Sequence, residues 1–323
     1  MKAILYDQPG DPDVLYYGDA PDPVPGEGEL LVRVRAAGVN RAELLQRQGR
    51  YPAPTDASPI LGLELAGEIE TAAGSWRVGD RVMAVVSGGG YAQRAVVPSQ
   101  VAMRIPDGFT FEQAAAIPEA FLTAYLNLFM LGGLTAGETV LIHAGASGVG
   151  TAAIQLVKAA GGRAIVTAGT DEKCAFCRDL GADLAINYKT DSFAERVQSF
   201  TDGAGVDLVL DFIGAPYWSA NTACLRRGGR LMLIGFLGSA SGDINLGAIM
   251  TKNLTVTGTT LRATPLDQKA RLVSDFEAFA RARLVSGELR PIIDRAYPLE
   301  DAAEAHRRMA DNANLGKLIL HVE

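Results

Sequence analysis

The 323-residue chain is poor in the residues that usually hold metals or staple small folds, with three cysteines and three histidines. Cys174, Cys177 and Cys224 are too few for a disulfide framework, so a reducing, cytoplasmic setting is expected. Cys174 and Cys177 share a CxxC spacing, but no second pair accompanies them, and on a helix that spacing reads as packing. His143, His306 and His321 are scattered and read as structural. There is no excess of basic residues: the net charge is −7 and the pI about 5.2. That balance argues against a dedicated nucleic-acid or anionic-membrane surface. No apolar run reaches the length of a membrane span. Met1–Tyr6 passes straight into a strand pattern, so no leader peptide is expected. Repeats, low-complexity segments and Ser/His/Asp or Cys/His arrangements are also missing.

What is present centres on residues 138–162. Thr139-Val140-Leu141-Ile142 reads as a buried strand. Gly145-Ala146-Ser147-Gly148-Val149-Gly150 is a glycine-rich turn, and an apolar helical pattern follows up to Gly161-Gly162. Strand, glycine turn and helix in this order form a dinucleotide site, where missing side chains let the backbone approach a pyrophosphate at a helix N-terminus. Ser147 stands where the second glycine of the fingerprint is usual, and its N–H or hydroxyl remains a donor for phosphate.

The length predicts two domains. Residues 1 to about 120 read as short antiparallel strands: Lys2–Tyr6, Leu30–Ala37, Gly67–Thr71, Arg81–Val86 and Tyr91–Pro98. A helical stretch begins at Phe111, is interrupted at Ile117-Pro118-Glu119, and resumes over Phe121–Leu131. From Glu138 strands and helices alternate up to Thr255–Thr259, the signature of a doubly wound parallel sheet. A long helix over Asp267–Ser286, strand character at Leu289–Ile293, a helix over Glu300–Met309 and a strand over Lys317–Val322 close the chain.

The cofactor preference is read at the end of the second strand of the alternating region, where a carboxylate holds the ribose 2′-OH of NAD. Here Val166-Thr167-Ala168-Gly169-Thr170 carries none. Thr170, Lys173 and Tyr188 can meet a 2′-phosphate instead, which favours NADPH. Asp171 and Glu172 count against this, or serve the N-terminus of the next helix.

Several motifs occur together: GVNRAELLQRQGRY at 38–51, LGLELAGEI at 61–69, AAAIPEAFLTAY at 114–125, VLIHAGASGVGTAAIQL at 140–156, LGADLAINY at 180–188 and GKLIL at 316–320. With them the whole chain resembles the zeta-crystallin-like quinone oxidoreductases of the medium-chain dehydrogenase/reductase superfamily, nearest their stress-inducible branch. The resemblance implies an α/β protein with a Rossmann doubly wound parallel sheet (residues 121–263) and a GroES-like β-rich catalytic domain (1–120 and 264–323). It implies NADPH in the cleft between them and a homodimer built through edge strands such as Thr255–Thr259. By motif position, Ser147, Gly148 and Val149 would meet the pyrophosphate, with Lys317 near that end. Gly169, Thr170, Lys173 and Tyr188 would lie at the adenosine side. Ile213 and Gly235-Phe236-Leu237 would lie by the ribose, and Asn40, Thr123 and Leu261 near the nicotinamide.

Zinc alcohol dehydrogenases, which the chain also resembles, carry a cysteine and a histidine where Asn40 and Leu63 stand, so no metal is expected. A zinc-free site suits an acceptor that is already electrophilic, a quinone or a conjugated carbonyl. Asn40 and Tyr51 are then the candidate catalytic donors to the developing oxyanion. A packing role for Tyr51 stays open, as does single-electron transfer. A 2-alkenal or enoyl-thioester reductase, or an NADPH-binding protein with weak turnover, are the alternatives.

Overall fold

The computed structural model describes all 323 residues, which form two units divided within a helix: Met1–Leu122 with Leu261–Glu323, and Thr123–Thr260. The first unit opens with β1 (Lys2–Leu5), β2 (Tyr16–Asp19), β3 (Glu29–Val39) and α1 (Arg41–Arg47). It continues with β4 (Glu64–Thr71), β5 (Arg81–Val85), β6 (Arg94–Pro98), β7 (Ala102–Arg104), α2 (Phe111–Ala115) and α3 (Pro118–Tyr125). In the second unit come β8 (Thr139–Ile142), α4 (Gly148–Ala159), β9 (Arg163–Ala168), α5 (Asp171–Asp179), β10 (Leu184–Asn187) and α6 (Phe193–Phe200). It ends with β11 (Val206–Asp211), α7 (Trp218–Cys224), β12 (Leu225–Leu233), α8 (Gly247–Lys252) and β13 (Thr255–Gly258). The chain then returns to the first unit as α9 (Leu266–Ser286), β14 (Ile293–Pro298), α10 (Ala302–Ala310) and β15 (Lys317–His321). No helix is long and apolar enough to cross a membrane.

The second unit is a parallel six-stranded sheet in the order β10-β9-β8-β11-β12-β13. The order reverses direction between β8 and β11, and ligands of such sheets bind beyond the strand ends at that point. Strand β8 is buried along its whole length, as a parallel strand covered on both faces must be. One face is packed by Leu141, Ile165, Phe193, Val197, Val209 and Trp218. In the first unit a seven-stranded sheet runs β14-β15-β3-β4-β5-β7, with β6 added on β3. Its pairs are antiparallel except β14 with β15. Helix α9 turns a stripe of Leu272, Val273, Phe276, Ala280 and Leu284 inward and stops at Gly287, whose φ is +80°.

Several expected boundaries are corrected. Residues 41–47, for which the sequence pattern suggests no element, form α1; beside Leu44 its buried residues are the polar Glu43, Gln46 and Arg47, so no apolar periodicity betrays it. The helical stretch is interrupted as expected, but at Ala116-Ile117, and Pro118 and Glu119 already belong to α3, because proline's missing N–H costs nothing in the first turn. That helix continues as a π-helical turn over Leu126–Met130. Strand β14 starts at Ile293 rather than Leu289, since Pro291 cannot donate to a ladder. Strand β12 begins at Leu225, directly after α7. The short elements β2, β7 and α8 had no expectation.

Candidate active site

The turn after β8 is built for an anion. Ala144 takes φ +50°, and the Ser147 N–H donates to the Ala144 carbonyl at 2.9 Å. Ser147 caps α4, its Oγ accepting from the Gly150 N–H at 3.0 Å. The Ser147 N–H is therefore spent inside the turn, which corrects one of its two expected donors. Its hydroxyl hydrogen stays available. The Gly148 and Val149 N–H groups, at the first two helical positions, have no intrahelical acceptor and aim out of the positive end of α4. A Cβ on Gly150 would stand 2.3 Å from the Ala144 carbonyl oxygen, so only glycine lets the helix start this close to the strand.

At the end of β9, Thr170 caps α5 by accepting from the Lys173 N–H at 3.2 Å. Gly169 lies under the Tyr188 ring: a Cβ there would be 2.9 Å from the phenolic oxygen. Tyr188 is 43% exposed. Asp171, the nearest carboxylate, accepts from Asn187 Nδ2 at 2.8 Å, which turns it toward β10.

Beneath this surface runs a buried polar chain that no motif announced. Asp211, at the end of β11, accepts from the N–H groups of Ile213 (2.7 Å) and Gly214 (3.1 Å). Its other oxygen accepts from Asn221 Nδ2 at 3.1 Å. The Asn221 carbonyl oxygen therefore faces His143 Nε2 at 2.7 Å and must accept from it. His143 Nδ1 is then bare and accepts from the Thr167 hydroxyl at 2.9 Å. Burial holds His143 down to about 4, so the ring stays neutral. The chain fixes the loop that carries Ile213. That loop accepts from Leu237 N–H through Phe212 and from Gly238 N–H through Ile213, which brings the Gly235-Phe236-Leu237 segment beside it. Phe236 and Leu237 are about half exposed, at 52% and 48%.

The first unit holds a cluster of acids around Asn40, the residue before α1. Asn40 Nδ2 donates to Glu64 Oε1 (3.1 Å) and Glu43 Oε1 (3.3 Å), and its Oδ1 accepts from Lys317 Nζ at 2.6 Å. Lys317 also donates to the Val39 carbonyl at 2.9 Å and pairs with Glu64 Oε1 at 2.5 Å. Glu64 Oε2 accepts from the backbone N–H of Glu119 at 2.8 Å. Gly38 opens the space, since a Cβ there would lie 2.1 Å from Glu64 Oε1. Burial is the first cause that lifts Glu43 to about 7, and likewise lifts Glu119 to about 8, with Glu64 and Glu43 as the next causes there.

Tyr51 is partly buried, with the Arg262 guanidinium 5.5 Å from its ring centroid. Burial raises its phenol, against the pull of Arg262. Its hydroxyl makes no hydrogen bond within the protein. Arg262, beside buried Leu261, donates twice to the Ser87 carbonyl, and Lys269 donates to the Arg262 carbonyl at 2.8 Å.

The structure thus joins Ser147 with Gly148 and Val149, Thr170 with the Lys173 N–H, Gly169 with Tyr188, Ile213 with the 235–237 segment, and Asn40 with Lys317. Thr123, nearly buried, accepts from Asn127 Nδ2 through its carbonyl at the start of the second unit. Both Nδ2 hydrogens of Asn40 are already placed on glutamates, whereas Tyr51 keeps a free hydroxyl. Glu43, Glu64, Glu119 and Asp211 were missed; the available signal was carboxylates set in apolar runs, as in Leu61–Gly67. No group of three or more His, Cys, Asp or Glu residues is arranged to hold a metal ion.

The chain is similar to known proteins along its length. The zinc-binding dehydrogenase family matches residues 148–277, and the alcohol dehydrogenase GroES-like domain family matches residues 26–107. The chain is 37% identical to a quinone oxidoreductase of Pseudomonas aeruginosa, covering 99% of both. It is 31% identical to the quinone oxidoreductase of Homo sapiens, over 99% of this chain and 97% of that one. The crystal structure of Escherichia coli quinone oxidoreductase complexed with NADPH aligns with a TM-score of 0.89 at 31% identity, over 99% of this chain and 100% of that one.

Proposed function

The chain belongs to the quinone oxidoreductase family of medium-chain dehydrogenases/reductases, and on that basis we propose that it is a cytoplasmic, homodimeric, zinc-independent NADPH:quinone reductase. One observation carries the choice of cofactor. The tip of β9 offers Gly169, the Thr170 cap and Lys173 beside an exposed Tyr188, and its nearest carboxylate, Asp171, is bonded to Asn187. A ribose 2′-phosphate suits that set, and a bare 2′-OH lacks its usual carboxylate partner.

The residues fit the cofactor. Gly148 N–H, Val149 N–H and the Ser147 hydroxyl would hold the pyrophosphate, and Gly150 keeps the cradle open. Asp211, through Ile213 and Gly214, would fix the loop at the ribose. Asn40, Thr123, Leu261 and the 235–237 segment are proposed for the nicotinamide half. Lys317 would act there only indirectly, through Asn40 and Glu64. Bound NADPH supplies a hydride. The protein's own part is to orient the acceptor and to offer the Tyr51 hydroxyl to the oxygen that gains negative charge.

The residues do not fit zinc. Leu63 is apolar and buried, and Glu64, which accepts from Asn40, already holds the Lys317 ammonium. A dication would have to displace that ammonium and find nitrogen or sulfur ligands that are not there. Cytoplasmic location is supported by three buried, unpaired thiols. A dimer through the second unit is supported by the edge strand β13 and the exposed Leu246 (63%) and Met250 (83%) on or next to α8.

The test is steady-state NADPH oxidation with 9,10-phenanthrenequinone against 2-hexenal. Faster turnover of the quinone supports the proposal. Preference for the enal moves the assignment to alkene reduction on the same cofactor site.

A further inference from the structure

Glu119 follows Pro118 in the first turn of α3, and its main chain is anchored by the 2.8 Å bond from its N–H to Glu64 Oε2. Its carboxyl group is different from those of Glu43 and Glu64. Those two are sealed in, and each accepts bonds from Asn40. The Glu119 carboxyl makes no hydrogen bond within the protein and is only partly buried. The ionisable groups that act on it come from every side of the cluster. Glu64 lies on β4, Glu43 on α1, Lys317 on β15 and Lys269 on α9, and Glu119 in turn is felt by Tyr51 and Arg262. Both ammonium groups among these are occupied, Lys317 by Glu64 and Asn40, Lys269 by the Arg262 carbonyl. Burial first, then the neighbouring Glu64 and Glu43, outweigh the pull of Lys317 and Lys269 and raise the Glu119 carboxyl to about 8, which favours its neutral form at pH 7.

A neutral carboxylic acid, unbonded and partly open to solvent, near a tyrosine with an unbonded hydroxyl, is equipped to give up a proton. We propose that Glu119 is the proton donor to the oxygen of the reduced acceptor. The assignment rests on the reductase reading above. Hydride transfer adds two electrons and one hydrogen to the quinone and leaves one of its oxygens anionic. The Glu119 O–H bond breaks as a new O–H bond forms on that oxygen, and the hydroquinone leaves neutral. NADPH is oxidised and the quinone reduced; Glu119, left as a carboxylate, regains its proton from water. With a conjugated carbonyl the same proton goes to the enolate oxygen.

Glu119→Gln tests this, because the amide keeps size and polarity but has no acid proton to transfer. The wild type is expected to lose kcat as pH rises through about 8, as its acid ionises. The variant should lose about 100-fold or more in kcat, in the usual range for a general acid, and lose that pH dependence. NADPH affinity, read by fluorescence quenching, should change by less than about twofold, since the cofactor cradle is untouched. Difference infrared spectra of wild type against variant should show the C=O stretch of a protonated acid at pH 7, fading toward pH 9. A folded Glu119→Gln that keeps both rate and pH profile overturns the assignment, as does a spectrum showing an ionised Glu119 at pH 7. A wild type that oxidises NADPH with neither acceptor overturns the reductase reading itself, and the donor role with it.

Discussion

The Lys317 ammonium lies 2.5 Å from Glu64 Oε1, with the two side chains 4% and 0% exposed. Lys317 is thus a buried counter-ion, shared with Asn40 and the Val39 carbonyl. Removing one member of such a pair strands the other charge. Lys317→Met should lower the unfolding free energy by about 3–5 kcal/mol, read from urea denaturation. Unchanged stability with weakened NADPH binding would instead place the lysine's role on the cofactor.

Two glutamates and two histidines set opposing pH slopes. Glu43 and Glu119, raised by burial to about 7 and about 8, stay protonated when folded at pH values where the unfolded chain has ionised. Their contribution therefore falls as pH rises above the ordinary glutamate value of 4.5. His143 and His306, lowered by burial to about 4 and about 3, stay neutral where the unfolded chain is protonated, so theirs rises up to 6.5. The slopes oppose one another below pH 6.5, and only the glutamates act above it. Stability should be broadly level between about pH 5 and 6.5 and then fall toward pH 8, by at most about 1.4 kcal/mol per pH unit for each group. Glu43→Gln should remove the part of the fall that lies below about pH 7. Urea midpoints that climb from pH 6.5 to 8 would contradict this account.

At the β9 tip, Lys173→Ala should weaken NADPH binding by about 10- to 100-fold, the worth of a hydrogen bond to a charged group. NADH binding should hardly change. Equal loss for both cofactors, read by fluorescence titration, would show that the lysine does not meet the 2′-phosphate.

Gly38→Ala should destabilise the first unit, because the new Cβ would stand 2.1 Å from Glu64 Oε1 and push the carboxylate away from Asn40 and Lys317. A loss of roughly 1–3 kcal/mol is expected from overpacking, measured by thermal unfolding. A neutral result would mean that Glu64 moves without cost.

The second unit was legible because each of its signals is local. The apolar β8 run, the glycine turn and the Ser147 cap lie within a dozen residues and need no distant partner. The acid cluster was not, because it is assembled by tertiary pairing. Glu43, Glu64, Glu119 and Lys317 come from four separated elements, and only the 36–39 end of β3, paired with both β4 and β15, brings them together. The same cause hid α1: beside Leu44 its inward side chains are the polar Glu43, Gln46 and Arg47, whose contacts are the Leu63 N–H, the Pro59 carbonyl and His306, so its apolar face is only a fragment. Asn40 was picked out by its place in a motif, but only the structure shows that its amide hydrogens are already committed.

The most direct measurement is the oxidation of NADPH and NADH, side by side, by the wild type with 9,10-phenanthrenequinone as acceptor. Rapid turnover with NADPH and little with NADH is the predicted result, and it would fit Thr170, Lys173 and Tyr188 at the 2′-phosphate. Equal use of the two cofactors would contradict the reading of the β9 tip on which the proposed function stands.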